Sequence, residues 1–213
     1  MSQAHKHSVP DIDHFDPRLN QLAMSDEAQP LFAAVKKHIA ENVAPIEDEF
    51  YRLGEGRKER WSWAPGQLEL LETAKNKAKA SGLWNFFLPH SPIGRGLTNL
   101  DYAYIAAELG KQSLASESLN CAAPDTGNME VIERVGTPAQ KDRWLKPLLN
   151  GEIRSAYAMT EPGVASSDAK NISMRAELVG DEWVLNGEKY YISGAGDPRC
   201  KIMIVMVKSS PNA

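Results

Sequence analysis

The sequence predicts an α+β protein, in which an all-α N-terminal domain is followed by the beginning of an antiparallel β domain. Three observations support this prediction. Apolar residues recur three and four positions apart through the first two thirds of the 213 residues, as on one face of a helix. After residue 155 the pattern changes to short runs rich in valine, isoleucine, tyrosine and tryptophan. Two dipeptides that favour tight turns, Gly180-Asp181 and Asn186-Gly187, separate these runs.

The change of pattern predicts three parts in the chain. Residues 1–24 form a polar N-terminal arm, residues 25–155 a helical domain, and residues 156–213 part of a β domain. His5 and His7 in the arm could hold a metal as a pair, but a disordered polar terminus is favoured. No metal site is predicted elsewhere in the chain.

The helical domain begins with a predicted amphipathic helix in AQPLFAAVKKHIAENVAP, which Pro45 is expected to end. The next predicted helix, GQLELLETAKNKAKASG, ends at Gly82, a residue type that commonly follows a helix. A third helix, in TNLDYAYIAAELG, begins with Thr98 and Asp101 as a capping pair.

A fourth helix is predicted in TPAQKDRWLKPLLNG. Thr137 stands at its N-cap, Pro138 at its first position, and Gln140 completes a capping box. Pro147 is expected to kink or end this helix.

The last predicted strand, in CKIMIVMVK, carries apolar residues on both of its faces and should be covered on both sides. A sheet of about three such strands would leave hydrophobic surface and strand edges open. The β domain is therefore expected to be truncated, or to be completed by another chain.

Composition and charge exclude several classes of function. The formal net charge of −4 gives no general attraction to nucleic acid. No run approaches the roughly twenty apolar residues of a membrane span, and the N-terminus lacks the apolar core of a secretory signal. Cys121 and Cys200 have no zinc-ligand spacing, so a reducing cytoplasmic location is predicted.

Two other glycine-rich or basic stretches are given structural interpretations. IGRGL, residues 93–97, has neither the lysine nor the preceding strand of a phosphate loop, so a loop between helices is favoured. Arg57, Lys58 and Arg60 could meet the phosphates of coenzyme A, but a solvated face is favoured.

Two clusters of small and hydroxyl-bearing residues are the candidate functional segments. YAMTEPGVASSDAKN, residues 157–171, offers hydroxyls and backbone amides in a loop beside the first strand, where a ligand could use them. YYISGAG, residues 190–196, adds aromatic surface next to a serine and two glycines. Together they could face a flat ring rich in heteroatoms, although the ends of hairpins also collect these residue types.

These two segments, with about twenty residues between them, resemble the motifs of the acyl-CoA dehydrogenase family. The first has the form aromatic-x-x-Thr-Glu-Pro with a Ser-Asp pair downstream, and the second stands in LNGEKYYISGAGDPRCKI. The preceding helices and the loop PIGRGL are similar as well, so the resemblance covers the chain from about residue 25. The segments APDTGNMEV and GAGDPRCK are most similar to the subfamily of acyl-CoA dehydrogenase members 10 and 11.

The resemblance implies an FAD enzyme that introduces a double bond between the α and β carbons of an acyl-CoA thioester. It implies that the flavin lies between two groups of residues. The expected cofactor-binding residues are Tyr157, Met159, Thr160, Ser166, Tyr191, Ile192 and Ser193. Fixed donors such as Thr160 and Ser193 would stabilise the negative charge that a flavin gains on reduction.

The resemblance assigns Ser167, in the Ser-Asp pair, to the acyl-CoA substrate. One extra residue between Glu-Pro and Ser-Asp, relative to many family members, leaves Ser166 and Ser167 as rival candidates. Tyr191 stands where many relatives have tryptophan, which preserves an aromatic wall of different extent.

No catalytic residue is predicted within the chain itself. Glu161 and Asp168 are carboxylates near the segments, but both lie in turns, where binding of backbone amides is the commoner role. In the family the catalytic base belongs to a C-terminal helical bundle, which is expected to be absent here, so that only the start of the barrel-like middle domain is present. The chain as given is therefore expected to be inactive alone.

The resemblance also implies partners, and two alternatives stay open. Electron-transfer flavoprotein is the expected electron acceptor, and the complete protein is expected to be a homo-oligomer in which a neighbouring subunit touches the flavin. The alternatives are a non-catalytic acyl-CoA-binding fragment or subunit, and a related acyl-CoA oxidase.

Overall fold

The computed structural model describes residues 22–88 and 93–210, in which helices precede strands along the chain. The helices are α1 (Gln29–His38), α2 (Ala44–Gly54), α3 (Gln67–Ala80), α4 (Asn99–Leu109), α5 (Ala115–Ser118), α6 (Asp125–Val135), α7 (Pro138–Gln140) and α8 (Lys146–Asn150). The strands are β1 (Arg154–Ala158), β2 (Arg175–Val179), β3 (Glu182–Asn186) and β4 (Cys200–Val205). This order confirms the predicted fold class of a helical domain followed by part of a β domain. Most of the predicted arm, with His5 and His7, lies outside the described residues.

The helices bury one continuous apolar core. Residues from seven of them meet there, and the aromatic rings of Phe50 and Trp63 pack at its edge with their centroids 5.9 Å apart. Within the described ranges, no helix is both long enough and apolar enough to cross a membrane. Core side chains with almost no exposure include Val35, Val43, Leu71, Ala78, Ile105, Leu109, Met129 and Leu148.

The two predicted capping boxes and the predicted glycine C-cap are found at the expected residues. Thr98 with Asp101, and Thr137 with Gln140, form complete capping boxes, in which each side chain accepts a hydrogen bond from the other residue's backbone amide. Gly82 follows α3 with a φ of 68°, and the next amide, Leu83 N–H, donates to the Ala78 carbonyl at 2.9 Å. This is the hydrogen bond of a Schellman motif, which needs a left-handed residue at position 82.

Pro45 does not end the first helix as predicted, because a wide π turn precedes it. Ile39–Val43 forms this turn, in which Ala44 N–H donates to the Ile39 carbonyl. The wide turn moves backbone out of the path of the proline ring, and the helix continues as α2 to Gly54. Pro147 also follows a π turn, Lys141–Leu145, and the helix continues through α8 to Asn150.

The strands form two small sheets, and no closed barrel is present among the described residues. β2 and β3 form the predicted antiparallel hairpin, joined at Gly180-Asp181. β1 and β4 pair in parallel, which the expectation of antiparallel strands did not include. A parallel pair requires a long crossover connection, and residues 159–199 supply it. Ala176 N–H donates to the Lys208 carbonyl at 2.9 Å and so links β2 to the residues that follow β4.

Helix α6 holds the start of β1 through buried polar side chains. Asp125 accepts hydrogen bonds from the backbone and the hydroxyl of Ser155, at 2.7 and 2.6 Å. Asn128 donates to the Ser155 hydroxyl at 2.8 Å and to the Ala156 carbonyl at 3.1 Å. These contacts join the helical and β parts of the chain at one strand.

Glu117 of α5 gathers three cations at the same junction. Its carboxylate lies 2.6 Å from Arg199, 2.7 Å from Arg154 and 3.2 Å from Lys75, whose side chain is 2% exposed. Burial alone would raise the pKa of Glu117. The three cations outweigh this effect, Arg154 most strongly, and the pKa is lowered from its ordinary value. The ionised carboxylate therefore stabilises the junction.

We predict that Gly82→Ala lowers the free energy of unfolding by about 1 kcal/mol, because a Cβ disfavours the left-handed backbone at φ 68°. Urea unfolding at neutral pH measures the change. Gly110→Ala is the matched control, since Gly110 also follows a helix but has a φ of −67° and room for a Cβ. Equal losses in the two variants would contradict the assignment.

We predict that Glu117→Gln lowers the free energy of unfolding by about 3 kcal/mol or more at neutral pH, because three cations lose their common anion. Since the pKa of Glu117 is lowered on folding, its contribution is present above the ordinary value of 4.5 and is lost as pH falls below it. The difference between wild type and variant should shrink accordingly in acid.

The control for this substitution is Asp142→Asn, which breaks the exposed ion pair of Asp142 with Lys146. Exposed pairs contribute at most about 1 kcal/mol. Chemical unfolding of both variants between pH 3 and pH 7 separates the two cases. A Glu117→Gln loss as small as that of the control would show that the junction does not depend on this carboxylate.

Candidate functional site

The first candidate segment begins inside β1 and continues past the end of that strand. Tyr157 is the fourth residue of β1 and is 37% exposed, while Met159 and Thr160 are half-buried just beyond the strand. The segment thus leaves the strand at its carboxyl end, and its loop is anchored by the parallel partner β4.

The second candidate segment, residues 190–196, is irregular backbone, whereas the run after Asn186-Gly187 was expected to form a strand. This segment begins beside the loop that follows β1, since Tyr190 N–H donates to the Thr160 carbonyl at 3.1 Å. The ammonium group of Lys189 donates to the Met159 carbonyl at 2.9 Å. The structure therefore brings the two segments together, as the sequence predicted, although through an irregular stretch of backbone.

Aromatic side chains are exposed where the segments meet. Tyr191 has a φ of 52° and is 86% exposed, and its ring centroid lies 4.4 Å from that of Tyr190. Positive φ is unusual for a residue other than glycine, and such conformations concentrate at functional sites. Ile192, next in the segment, is half-buried.

The hydroxyl groups of the two segments differ in their partners. Ser166 is buried and its hydroxyl accepts a hydrogen bond from Glu161 N–H at 3.0 Å. Ser167 is exposed. Within the described part of the chain, the side-chain hydroxyls of Thr160, Ser167 and Ser193 hydrogen-bond to no other protein group. These three hydroxyls can donate to a ligand without breaking a protein contact.

Glu161 organises the loop that follows β1. Its carboxylate accepts hydrogen bonds from the backbone of Ser173 at 2.7 Å and of Met174 at 2.9 Å, and it pairs with Lys189 at 2.8 Å. The Glu161 side chain is 3% exposed, and burial alone would raise its pKa. Hydrogen bonds from Lys189, Ser173 and Met174 outweigh burial and lower the pKa to about 2. A carboxylate so held binds backbone amides, the role that the sequence favoured.

Asp168 also binds backbone, as its position in a turn suggested. It accepts a hydrogen bond from Lys170 N–H at 3.0 Å and so caps the short 3₁₀ helix Ala169–Asn171.

Arg57 lines a cleft of about 170 Å³ together with Arg60, Trp61 and Gly194. Across residues 22–88 and 93–210, no group of three metal-ligating side chains comes together.

Sequence reasoning missed two residues that hold the second segment, Lys189 and Arg199. Lys189 precedes the segment and is buried against Glu161. Arg199 follows it and forms ion pairs with Asp197 at 2.7 Å and Glu117 at 2.6 Å. A lysine directly before an aromatic pair was the available signal for the first, whereas the partner of Arg199 lies 82 residues away in sequence.

The arrangement presents aromatic rings, free hydroxyls and backbone amides around one meeting point of two segments. Such a set can cover a planar heteroaromatic ring and donate hydrogen bonds to its edge. Within residues 157–171 and 190–196, the carboxylates of Glu161 and Asp168 accept hydrogen bonds from backbone amides.

Comparisons with known proteins agree with the resemblance of these motifs. The family described as acyl-CoA dehydrogenase, N-terminal domain, matches residues 25–152, and the acyl-CoA dehydrogenase middle domain matches residues 156–213. Acyl-CoA dehydrogenase family member 10 of Mus musculus is 46% identical over 195 residues, which are 89% of this chain and 18% of that protein. Family member 11 of Gallus gallus is 47% identical over 188 residues, which are 87% and 23% of the two chains.

Solved structures give the same result. A structure described as a putative acyl-CoA dehydrogenase from Mycobacterium abscessus has a TM-score of 0.79 and 45% identity, covering 90% of this chain and 48% of that one. A glutaryl-CoA dehydrogenase from Mycobacterium smegmatis in complex with FADH2 has a TM-score of 0.55 at 22% identity, with 81% and 40% covered, and shares the fold. The chain thus spans less than half the length of these relatives. Both of its parts match one family, and the chain belongs to the acyl-CoA dehydrogenase family.

Proposed function

We propose that this chain contributes part of the flavin and substrate site of an FAD-dependent acyl-CoA dehydrogenase. The observation that carries the proposal is the meeting of residues 157–160 with residues 190–193, where two hydroxyls without protein partners lie beside exposed tyrosine rings. Family membership supports an oxidoreductase, and the complex of the Mycobacterium smegmatis relative supports a flavin as its cofactor.

The residues around this meeting point fit a flavin. Tyr157, Met159 and Thr160 would border one side of the ring system, and Tyr191, Ile192 and Ser193 the other. A bound flavin would supply the electron acceptor for the removal of two hydrogens from a saturated acyl-CoA. The Thr160 and Ser193 hydroxyls would donate to its polar edge and stabilise charge that develops there.

Ser167 is proposed to bind the acyl-CoA, and Ser166 to support the loop that presents it. The exposed Ser167 hydroxyl is available to a ligand. Ser166 is buried, and its hydroxyl accepts a hydrogen bond from Glu161 N–H. This difference favours Ser167 over Ser166 as the substrate contact. Ser166 would influence the flavin through the position of residues 159–161.

The catalytic base is proposed to lie outside residues 1–213, in the C-terminal helical domain of the family. The carboxylate of Glu161 is a poor base, because four hydrogen bonds hold its pKa at about 2.

The proposal includes electron-transfer flavoprotein as electron acceptor, a homo-oligomeric complete protein and a cytoplasmic location. The two cysteines, Cys121 and Cys200, are free, which supports a reducing compartment.

We predict that the purified chain, titrated with FAD, gives a bound-flavin absorption spectrum and that Thr160→Val and Ser193→Ala each weaken binding about fivefold. Loss of one hydrogen bond worth about 1 kcal/mol accounts for this factor. Thr73→Val is the matched control, since Thr73 is exposed on α3, donates its hydroxyl to the Glu69 carbonyl and lies outside both segments. Unchanged affinity and spectrum in both test variants would remove these residues from the flavin site.

The same preparation separates the alternatives. Binding of an acyl-CoA without any flavin would favour a non-catalytic binding subunit. Peroxide release on addition of acyl-CoA to a flavin-loaded assembly with the remaining domain would favour an oxidase. Bleaching of the flavin without peroxide is the outcome expected for a dehydrogenase.

A further inference from the structure

Residues 190–196, named the aromatic segment here, lie against β1 and are fixed at both ends. At the first end, Tyr190 N–H donates to the Thr160 carbonyl. At the second end, Gly194 lies so near the Ser155 carbonyl that a Cβ would stand 3.3 Å from it. Just beyond, Arg154 N–H donates to the Arg199 carbonyl at 2.9 Å. The aromatic segment therefore runs alongside β1, from beyond the carboxyl end of the strand towards its amino end.

The conformation inside the aromatic segment is not supported by burial of its own side chains. Tyr191 holds a left-handed backbone conformation, with φ 52°, although its side chain is 86% exposed. Its one described ring contact is with neighbouring Tyr190. A non-glycine residue in this conformation is strained, and it persists when the surrounding structure holds it. The anchors at the two ends must supply that support.

The first anchor is the ion pair of Lys189 with Glu161. The lysine side chain is 8% exposed and the glutamate 3%, and the lysine also donates to the Met159 carbonyl. Glu161 is in turn fixed by the amides of Ser173 and Met174. One ammonium group thus ties the start of the aromatic segment to the loop of Thr160 and to the residues that lead into β2.

The second anchor connects the aromatic segment to the helical domain. Asp197 accepts a hydrogen bond from the Trp63 indole at 3.3 Å, and Arg199 stacks over that indole at 4.7 Å. Gly196 lies directly on the Trp61 ring, where a Cβ would approach to 2.4 Å. This end is held by residues of the helical domain and does not require Lys189.

We propose that Lys189 is a positioning residue for the flavin site. Through Glu161 and the Met159 carbonyl, it fixes Tyr191 and Ser193 relative to Thr160. The identity of the ligand rests on the proposed function, whereas the fixing of the aromatic segment is a property of this chain alone. Without Lys189, the first end is released while the second end stays bound at Trp63.

The experiment measures amide hydrogen exchange in peptides that cover residues 189–199 of the 213-residue chain. Lys189→Met should raise exchange of the Tyr190 amide, which donates to the Thr160 carbonyl, about tenfold or more, because a charged, buried hydrogen-bonding group next to it is removed. Exchange in α6 and in residues 195–199 should stay near wild type. Lys189→Arg, which keeps the charge and the donors, should restore slow exchange. Lys146→Met, which breaks the exposed pair with Asp142, is the matched control.

The proposal is overturned if Lys189→Met leaves exchange of the Tyr190 amide unchanged, if all segments accelerate equally, or if Lys189→Arg fails to rescue. Should the methionine variant also release β1 and β4, Lys189→Gln, which retains a donor for the Met159 carbonyl, decides by the same comparison.

FAD titration of the same variants separates this inference from the proposed function. If wild type binds FAD and Lys189→Met binds it about tenfold more weakly with an altered spectrum, the positioning role is supported. If wild type binds FAD and Lys189→Met binds it equally well, the inference is wrong while the proposed function stands. If wild type does not bind FAD, the proposed function fails for this chain, and hydrogen exchange alone decides the positioning role.

Discussion

The ion pairs of the Glu117 carboxylate are the interactions on which the joining of the helical and β parts of the chain depends. Glu117 stands on the short helix α5 and accepts Lys75 from α3, Arg154 at the start of β1 and Arg199 before β4. Three cations brought together without an anion would repel one another in a place with little solvent. Each cation also pairs with a second carboxylate, Glu72, Asp125 or Asp197, but Glu117 contacts all three and so joins the helical bundle to the parallel strand pair.

Both candidate segments obtain their positions from this joint. β1 starts at Arg154, so the loop that carries Thr160 leaves a strand whose first residue is bound to α5 and α6. The aromatic segment is followed by Asp197 and Arg199, both of which contact the Trp63 indole. The helical domain therefore supports one end of the aromatic segment. The ion pair of Lys189 with Glu161 holds the other end. Aromatic and hydroxyl groups can remain exposed because charged groups behind them are satisfied.

Features that depend on neighbouring residues were predictable from the sequence, and features that depend on distant partners were not. The capping boxes at Thr98 and Thr137, the glycine after α3 and the hairpin at Gly180-Asp181 each involve contacts within a few residues. The parallel pairing of β1 with β4 joins residues more than forty positions apart, and no turn dipeptide indicates it. The motifs indicated the two segments that meet, and a lysine before the tyrosine pair was a local signal for Lys189, whereas the contact of Arg199 with Glu117 spans 82 residues of sequence.

The π turn before Pro45 has a consequence for how this chain tolerates insertions and deletions. Val35, Ile39 and Val43 are all buried, yet steps of four residues drift by about 40° each on a helix of 3.6 residues per turn. The wide turn absorbs that drift, so that Phe50 still faces the core in α2. It behaves as a one-residue insertion stored inside a helix. Removing a residue from Ile39–Val43 could leave a regular helix, whereas removing one between Val43 and Phe50 would turn the ring by about 100° away from its neighbours.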